Sequence, residues 1–385
     1  MDKKGQTKRQ HYVPQMILRN FSHNDATTSL LVLSSGKRVS EAAINRQCYE
    51  PYFYGEDQEL ERSFSREEAN VSKLLGDLSR ERLEAVTEDD ISLLRNFIHY
   101  QRARTKAAAE SVSNFAEAFA KSTLRGTARL NSDRELAEAV ESVRIRLTGA
   151  QHESIWQATK STPLLRDMEL RFLVTSREHG FVIGDHPVVA YNQFAEHHPL
   201  LRKWPASTGL AAKGLQLFMP LSPSVTMAFY DPTTYQYDGD RVCGAGPRDV
   251  RFLNATQAIN AWECVFFSAQ RADDKALEYL LDRRRHHGSV FDKPIATSEM
   301  LWKDDKTISQ LVAVTNPDVR VGARFSFLRT TDRRSYAGYD AATIPIRSPA
   351  LLDFTHLYGE FVEQEARRHP DTQVAPETPP NAGGA

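Results

Sequence analysis

Between Glu56 and Ser79, apolar residues Leu60, Phe64, Val71, Leu74, Leu75 and Leu78 form a stripe at helical spacing within charged surroundings. Thr87, with Asp90 three residues on, is a candidate cap for a second helix that holds Ile91, Leu94, Phe97 and Ile98 and runs beyond Thr105. Residues Ala107–Leu147 read as further helix, interrupted near Gly126 and Gly149; helix resumes over His152–Thr159 and ends at Pro163. From Met168 the texture changes. Leu170–Thr175 and Phe181–Ile183 are short β-type runs around Glu178-His179-Gly180, a hairpin signal, with Val188–Tyr191 extending the second strand. Gln216–Leu221 and Ser224–Tyr230 read as two more strands, Val250–Ala261 as helix, Trp262–Ser268 as a buried strand and Asp273–Arg285 as helix. Ile308–Val314 and Val319–Phe327 are predicted strands.

The chain begins with a basic tail, residues 1–9. A short helix follows Pro14, and Ser29–Leu33 with Arg38–Ser40 form a candidate hairpin. Tyr49–Tyr54 reads as an irregular connection. Residues 366–385, rich in Pro and Gly, are expected to be a disordered tail. Helices first and strands later predict an α+β body over residues 10–365, helical at about 56–163 and strand-rich at about 168–330.

The 385 residues suffice for a core without staples, since domains run at about 150 residues. Charges nearly cancel, 49 basic against 50 acidic, so nucleic-acid or membrane attraction would have to come from a local patch. Three scattered cysteines, without a Cys-x-x-Cys, argue against a disulfide framework and a structural zinc site and suggest a reducing cytoplasm. The N-terminus lacks the apolar stretch of a signal peptide, and no apolar run approaches the roughly 18 residues that span a bilayer. Gly209–Gly214 lacks the lysine of a phosphate loop, and no dinucleotide, serine-esterase or zincin motif is present.

Four features carry candidate chemistry. His11, beside Tyr12 and Pro14, is a candidate acid/base or metal ligand, or else an anchor bonded to backbone. Glu61 and Glu68, two helical turns apart, lie on one face about 10 Å from each other along the axis and border a groove, or else form a solvated face. Gln101 and Arg104 share a face; the guanidinium would pair a glutamate such as Glu61 or Glu68, or grip a phosphate. Gly184-Asp185-His186-Pro187 ends an apolar strand; Asp185 would bind a cation, orient a base or cap its own loop. The basic clusters Arg283–His287 and Arg367–His369 read as solvated.

Gln10-His11-Tyr12-Val13-Pro14, with Leu18 and Phe21, resembles the opening motif of a bacterial family, domain of unknown function 4238. The likeness continues through Leu60-Glu61, Glu68, Phe97, Gln101, Arg104, Thr105, Gly184-Asp185-His186-Pro187, Pro220-Leu221-Ser222-Pro223 and Asn254, and covers most of residues 10–268. The family is intracellular and has no agreed activity; some members are linked to antiphage defence. Relatives often carry Ser where this chain has Gly184. The resemblance implies that the scattered polar set converges on one pocket. Glu61, Glu68 and Asp185 would then hold Mg²⁺ or Mn²⁺, with His11, Gln101 and Arg104 as catalytic partners in phosphodiester hydrolysis of nucleic acid or another phosphate-containing substrate. The alternative is a non-enzymatic sensor that recognises a phage or host protein and uses the polar cluster structurally.

Overall fold

A computed structural model describes residues 7–176, 178–204, 206–291, 295–303, 308–331 and 345–351. The fold is α+β. Strand β1 (Arg9–His11) leads into α1 (Gln15–Arg19), then β2 (Thr27–Val32), β3 (Arg38–Ala43) and β4 (Tyr49–Pro51). β1 and β4 pair antiparallel, which the sequence did not suggest because three-residue strands are too short for alternation to appear.

Next come α2 (Glu59–Leu75), α3 (Arg80–Glu84), α4 (Glu88–Ala103), α5 (Lys106–Leu130), α6 (Arg134–Ser142) and α7 (Ala150–Ser161). Thr87 and Asp90 form the expected reciprocal cap of α4. The helix does not run past Thr105. Thr105 is extended, and its Oγ1 accepts the Ala108 N–H, so the chain stops and restarts as α5. Gly126 lies within α5; the break falls instead where Asp133 caps α6.

The second half contributes β5 (Glu169–Val174), β6 (Ile183–Gly184), β7 (Val189–Tyr191), α8 (Gln193–His197), β8 (Gln216–Ser222), β9 (Val225–Tyr230), β10 (Tyr235–Tyr237), β11 (Val242–Gly244), α9 (Pro247–Asn260), β12 (Cys264–Phe267) and α10 (Asp274–His287). A hairpin of β13 (Ile295–Lys303) and β14 (Ile308–Thr315) follows, then β15 (Leu328–Thr330). One sheet runs β11-β5-β9-β8-β7, antiparallel except between β11 and β5. The other runs β3-β2-β12-β6 and is antiparallel. The expected β5–β6 hairpin is therefore absent: the two strands belong to different sheets. Asn254 pins the chain between them, accepting from Val182 N–H and donating to Gly180 O.

Both faces of the larger sheet are buried. Leu217, Met219, Val225, Met227 and Phe229 join the core beneath α1, α2 and α4, while Phe218, Ala228 and Tyr230 join a second core on the opposite face. The second core is closed by Val319, Val321, Ala323, Phe325 and Phe327. These alternate as a strand should, yet no strand forms over 319–327. Side chains take the place of a neighbouring strand: Gly322 N–H donates to Glu196, Ala323 to Tyr191, Phe325 to Gln193 and Ser326 to Asp249. A third core lies between β2, β12 and α10. Arg284 is no solvated helix end; its Nη1 donates to the carbonyls of Ala258, Ile259 and Ala261. Among the described residues no helix is long and apolar enough to cross a membrane. Residues 366–385, with Arg367–His369, lie outside the described residues.

Candidate functional site

β1, α1 and α2 border a cleft of about 510 Å³. His11, Glu61 and Glu68 line it, with Arg9, Gln15 and Arg19 around them. Phe64, Val71 and Leu74 turn one side of α2 into the core, which leaves the two glutamates at the border of the buried stripe. The structure thus brings three of the six candidate residues together.

Gln101 and Arg104 lie beneath the cleft and do not line it. Arg104 is 2% exposed. Its Nη2 donates to Glu68 Oε1 at 2.5 Å and its Nε to Gln101 Oε1 at 3.0 Å, and its guanidinium sits 4.7 Å from the centre of the Phe64 ring. Gln101 donates onward to Tyr12 O at 2.8 Å, and the Tyr54 hydroxyl donates to Arg104 O at 2.8 Å. This is the brace between helices named among the sequence alternatives. Buried and outside the cleft wall, neither Arg104 nor Gln101 meets a substrate there. Their role is to hold Glu68.

Asp185 stands apart from Glu61 and Glu68. It is 3% exposed, and its oxygens accept the N–H groups of Trp262 (2.7 Å), Glu263 (2.7 Å) and Cys264 (3.2 Å). Burial pushes its carboxyl up to about 6, with the three backbone donors opposing. Asp185 thus fastens the start of β12, through N–H groups 77 to 79 positions away and not through its own loop. The expected metal centre of Glu61, Glu68 and Asp185 is not assembled: the oxygens of Asp185 are taken by the N–H groups of residues 262–264, and Asp185 does not line the cleft that holds the two glutamates. Among the described residues no three or more His, Cys, Asp or Glu side chains are grouped to hold a metal ion.

Within the cleft, burial and the neighbouring Glu68 raise the Glu61 carboxyl to about 7, against the pull of Arg104. Burial lowers the pKa of His11. His11 Nδ1 is 3.1 Å from Gln47 O. A carbonyl only accepts, so in the neutral ring Nδ1 carries the proton and Nε2 keeps the lone pair. The cleft therefore combines a neutral imidazole, two carboxylates and two arginines.

The sequence passed over Arg102 and gave His186 no role of its own. Both line a larger cavity on another side of the α4–α5 junction. The one signal for Arg102 was its place on the same face as Ile98 and His99, both buried.

No curated protein matches the chain, and no solved structure does. Residues 9–271 match the model of a family described as "Protein of unknown function (DUF4238)". That span holds the His11–Glu61–Glu68 cleft, the Gln101–Arg104 brace and the Asp185 anchor, and on it the chain belongs to the DUF4238 family.

Proposed function

We propose that the protein hydrolyses a phosphodiester in the β1–α1–α2 cleft, with Mg²⁺ or Mn²⁺ drawn in by Glu61 and Glu68. The observation that carries this reading is the sharing of one cleft by Glu61, Glu68 and His11. Mg²⁺ is commonly held by one or two carboxylates, water and substrate phosphate, so two glutamates suffice without Asp185. A divalent cation would also relieve the repulsion that raises Glu61. His11 Nε2 would accept a proton from the attacking water, whose oxygen forms the new bond to phosphorus as the leaving oxygen departs. Arg9 and Arg19 would hold substrate phosphates.

The test is cleavage of plasmid DNA and RNA with Mg²⁺ or Mn²⁺. His11→Ala is expected to slow cleavage by about a hundredfold or more. Cleavage that survives both His11→Ala and Glu61→Gln overturns the reading, as does its absence with either metal. A defence role follows the family resemblance and is tested by plaque counts on cells expressing the same variants. A cytoplasmic location is part of this reading and is supported by three free cysteines.

One observation favours a non-enzymatic sensor that binds a phage or host protein. The Tyr12–Gln101–Arg104–Glu68 brace, buried at Gln101 and Arg104, is explained by packing alone. Under that reading Mn²⁺ leaves the melting temperature unchanged and His11→Ala keeps plaque protection.

A further inference from the structure

Arg102 is the second-last residue of α4 and lines a cavity of about 680 Å³ whose wall shares no residue with the β1–α1–α2 cleft. Arg104 and Arg347, both deeply buried, each hold a carboxylate, Glu68 and Asp167 respectively. Arg102 has none. Among the described residues it makes no hydrogen bond and no ion pair, its Nε is shut off from water without a partner, and burial alone acts on its charge. The side chain is half-buried, with Nε the atom closed to water, and an anion entering the cavity would give the guanidinium the partner it lacks.

The surroundings suit one negative charge. The first two turns of α5 contribute Ala108, Ser111 and Val112 to the wall beside Arg102. His186 adds a neutral ring, held by Thr105 Oγ1 at 2.6 Å and set edge-on to Phe291. Asp318 is the acid on the wall, and its oxygens are taken by Ser207 N–H, the Ser207 hydroxyl and the Thr208 hydroxyl. Much of the remaining wall is apolar, with Leu164, Val188, Leu210, Phe291 and Val319. We propose that this cavity binds a small organic acid, its single carboxylate paired with Arg102 and its hydrocarbon body against the apolar wall. A planar guanidinium matches a carboxylate with two parallel N–H···O bonds. One cation with no second beside it matches a monoanion better than a phosphate monoester.

Calorimetric titration of the full chain with octanoate, octanol and octyl phosphate tests this. Octanoate is expected to bind saturably and at least about tenfold more tightly than octanol, and Arg102→Gln is expected to lose about tenfold or more in octanoate affinity. Should Arg102→Gln fail to fold, the octanoate–octanol ratio on the unaltered chain decides alone. Equal binding of octanoate and octanol, undiminished binding by Arg102→Gln, or no binding of octanoate overturns the proposal. Tighter binding of octyl phosphate than of octanoate overturns the assignment to a carboxylate.

Discussion

Arg104 and Glu68 form a salt bridge of 2.5 Å in which the arginine is almost fully buried while the glutamate reaches the wall of the open cleft. The buried member depends on the exposed one. Glu68→Ala is therefore expected to cost about 3 kcal/mol, because it strands a buried guanidinium. Replacing both, as Arg104→Met with Glu68→Leu, should recover most of that loss. Urea unfolding of the two variants checks this, and a double variant less stable than Glu68→Ala contradicts it.

Asp185 accepts three consecutive N–H groups, those of Trp262, Glu263 and Cys264, where the chain enters β12. Asp185→Asn keeps the shape but turns one acceptor into a donor facing donors. A loss of about 2–3 kcal/mol is expected in chemical unfolding. In a protein whose activity depends on the cleft, the remaining folded fraction should retain its specific activity.

Thr105 caps α5 and holds the His186 ring. Thr105→Val removes both bonds and is expected to lower stability by about 2 kcal/mol, whereas Thr105→Ser keeps the hydroxyl and should recover most of it. Thermal unfolding of the pair separates the hydroxyl from the methyl group.

Glu61 titrates at about 7 in the fold, above the ordinary carboxylate value of 4.5. A raised carboxyl favours the protonated folded state, so its contribution is full below the unfolded pKa and is lost as pH rises through 7. Stability should therefore fall between about pH 4.5 and 7 by roughly 1 kcal/mol, discounted for the group's partial exposure. Glu61→Gln should flatten this part of the profile. An unchanged slope in that variant rules the assignment out.

Much of the architecture could be read from the chain. The capping pair Thr87 and Asp90, the stripe through Phe64 and Leu74, and the β8–β9 pairing each depend on neighbours a few residues apart. The polar candidates were also found as residues, but their companions were not. Asp185 is satisfied by groups 77 to 79 positions away, and only the fold brings them to it. The run 319–327 misled for a related reason: period-two burial reports a buried face and cannot tell whether N–H groups meet a strand or side chains such as Tyr191 and Gln193. Arg102 was missed because a lone arginine in a helix has no pattern; its significance is the lack of a partner.

The closing turn of α4 is a partition with a different compartment on each side. Successive helical residues diverge by about 100°, so Gln101 and Arg104 are directed toward the amino-terminal strand and α2 while Arg102 is directed into the cavity beside α5. One turn of backbone thus forms part of both compartments, with Gln101 and Arg104 bonded to Tyr12 and Glu68 on one side and Arg102 in the cavity wall on the other.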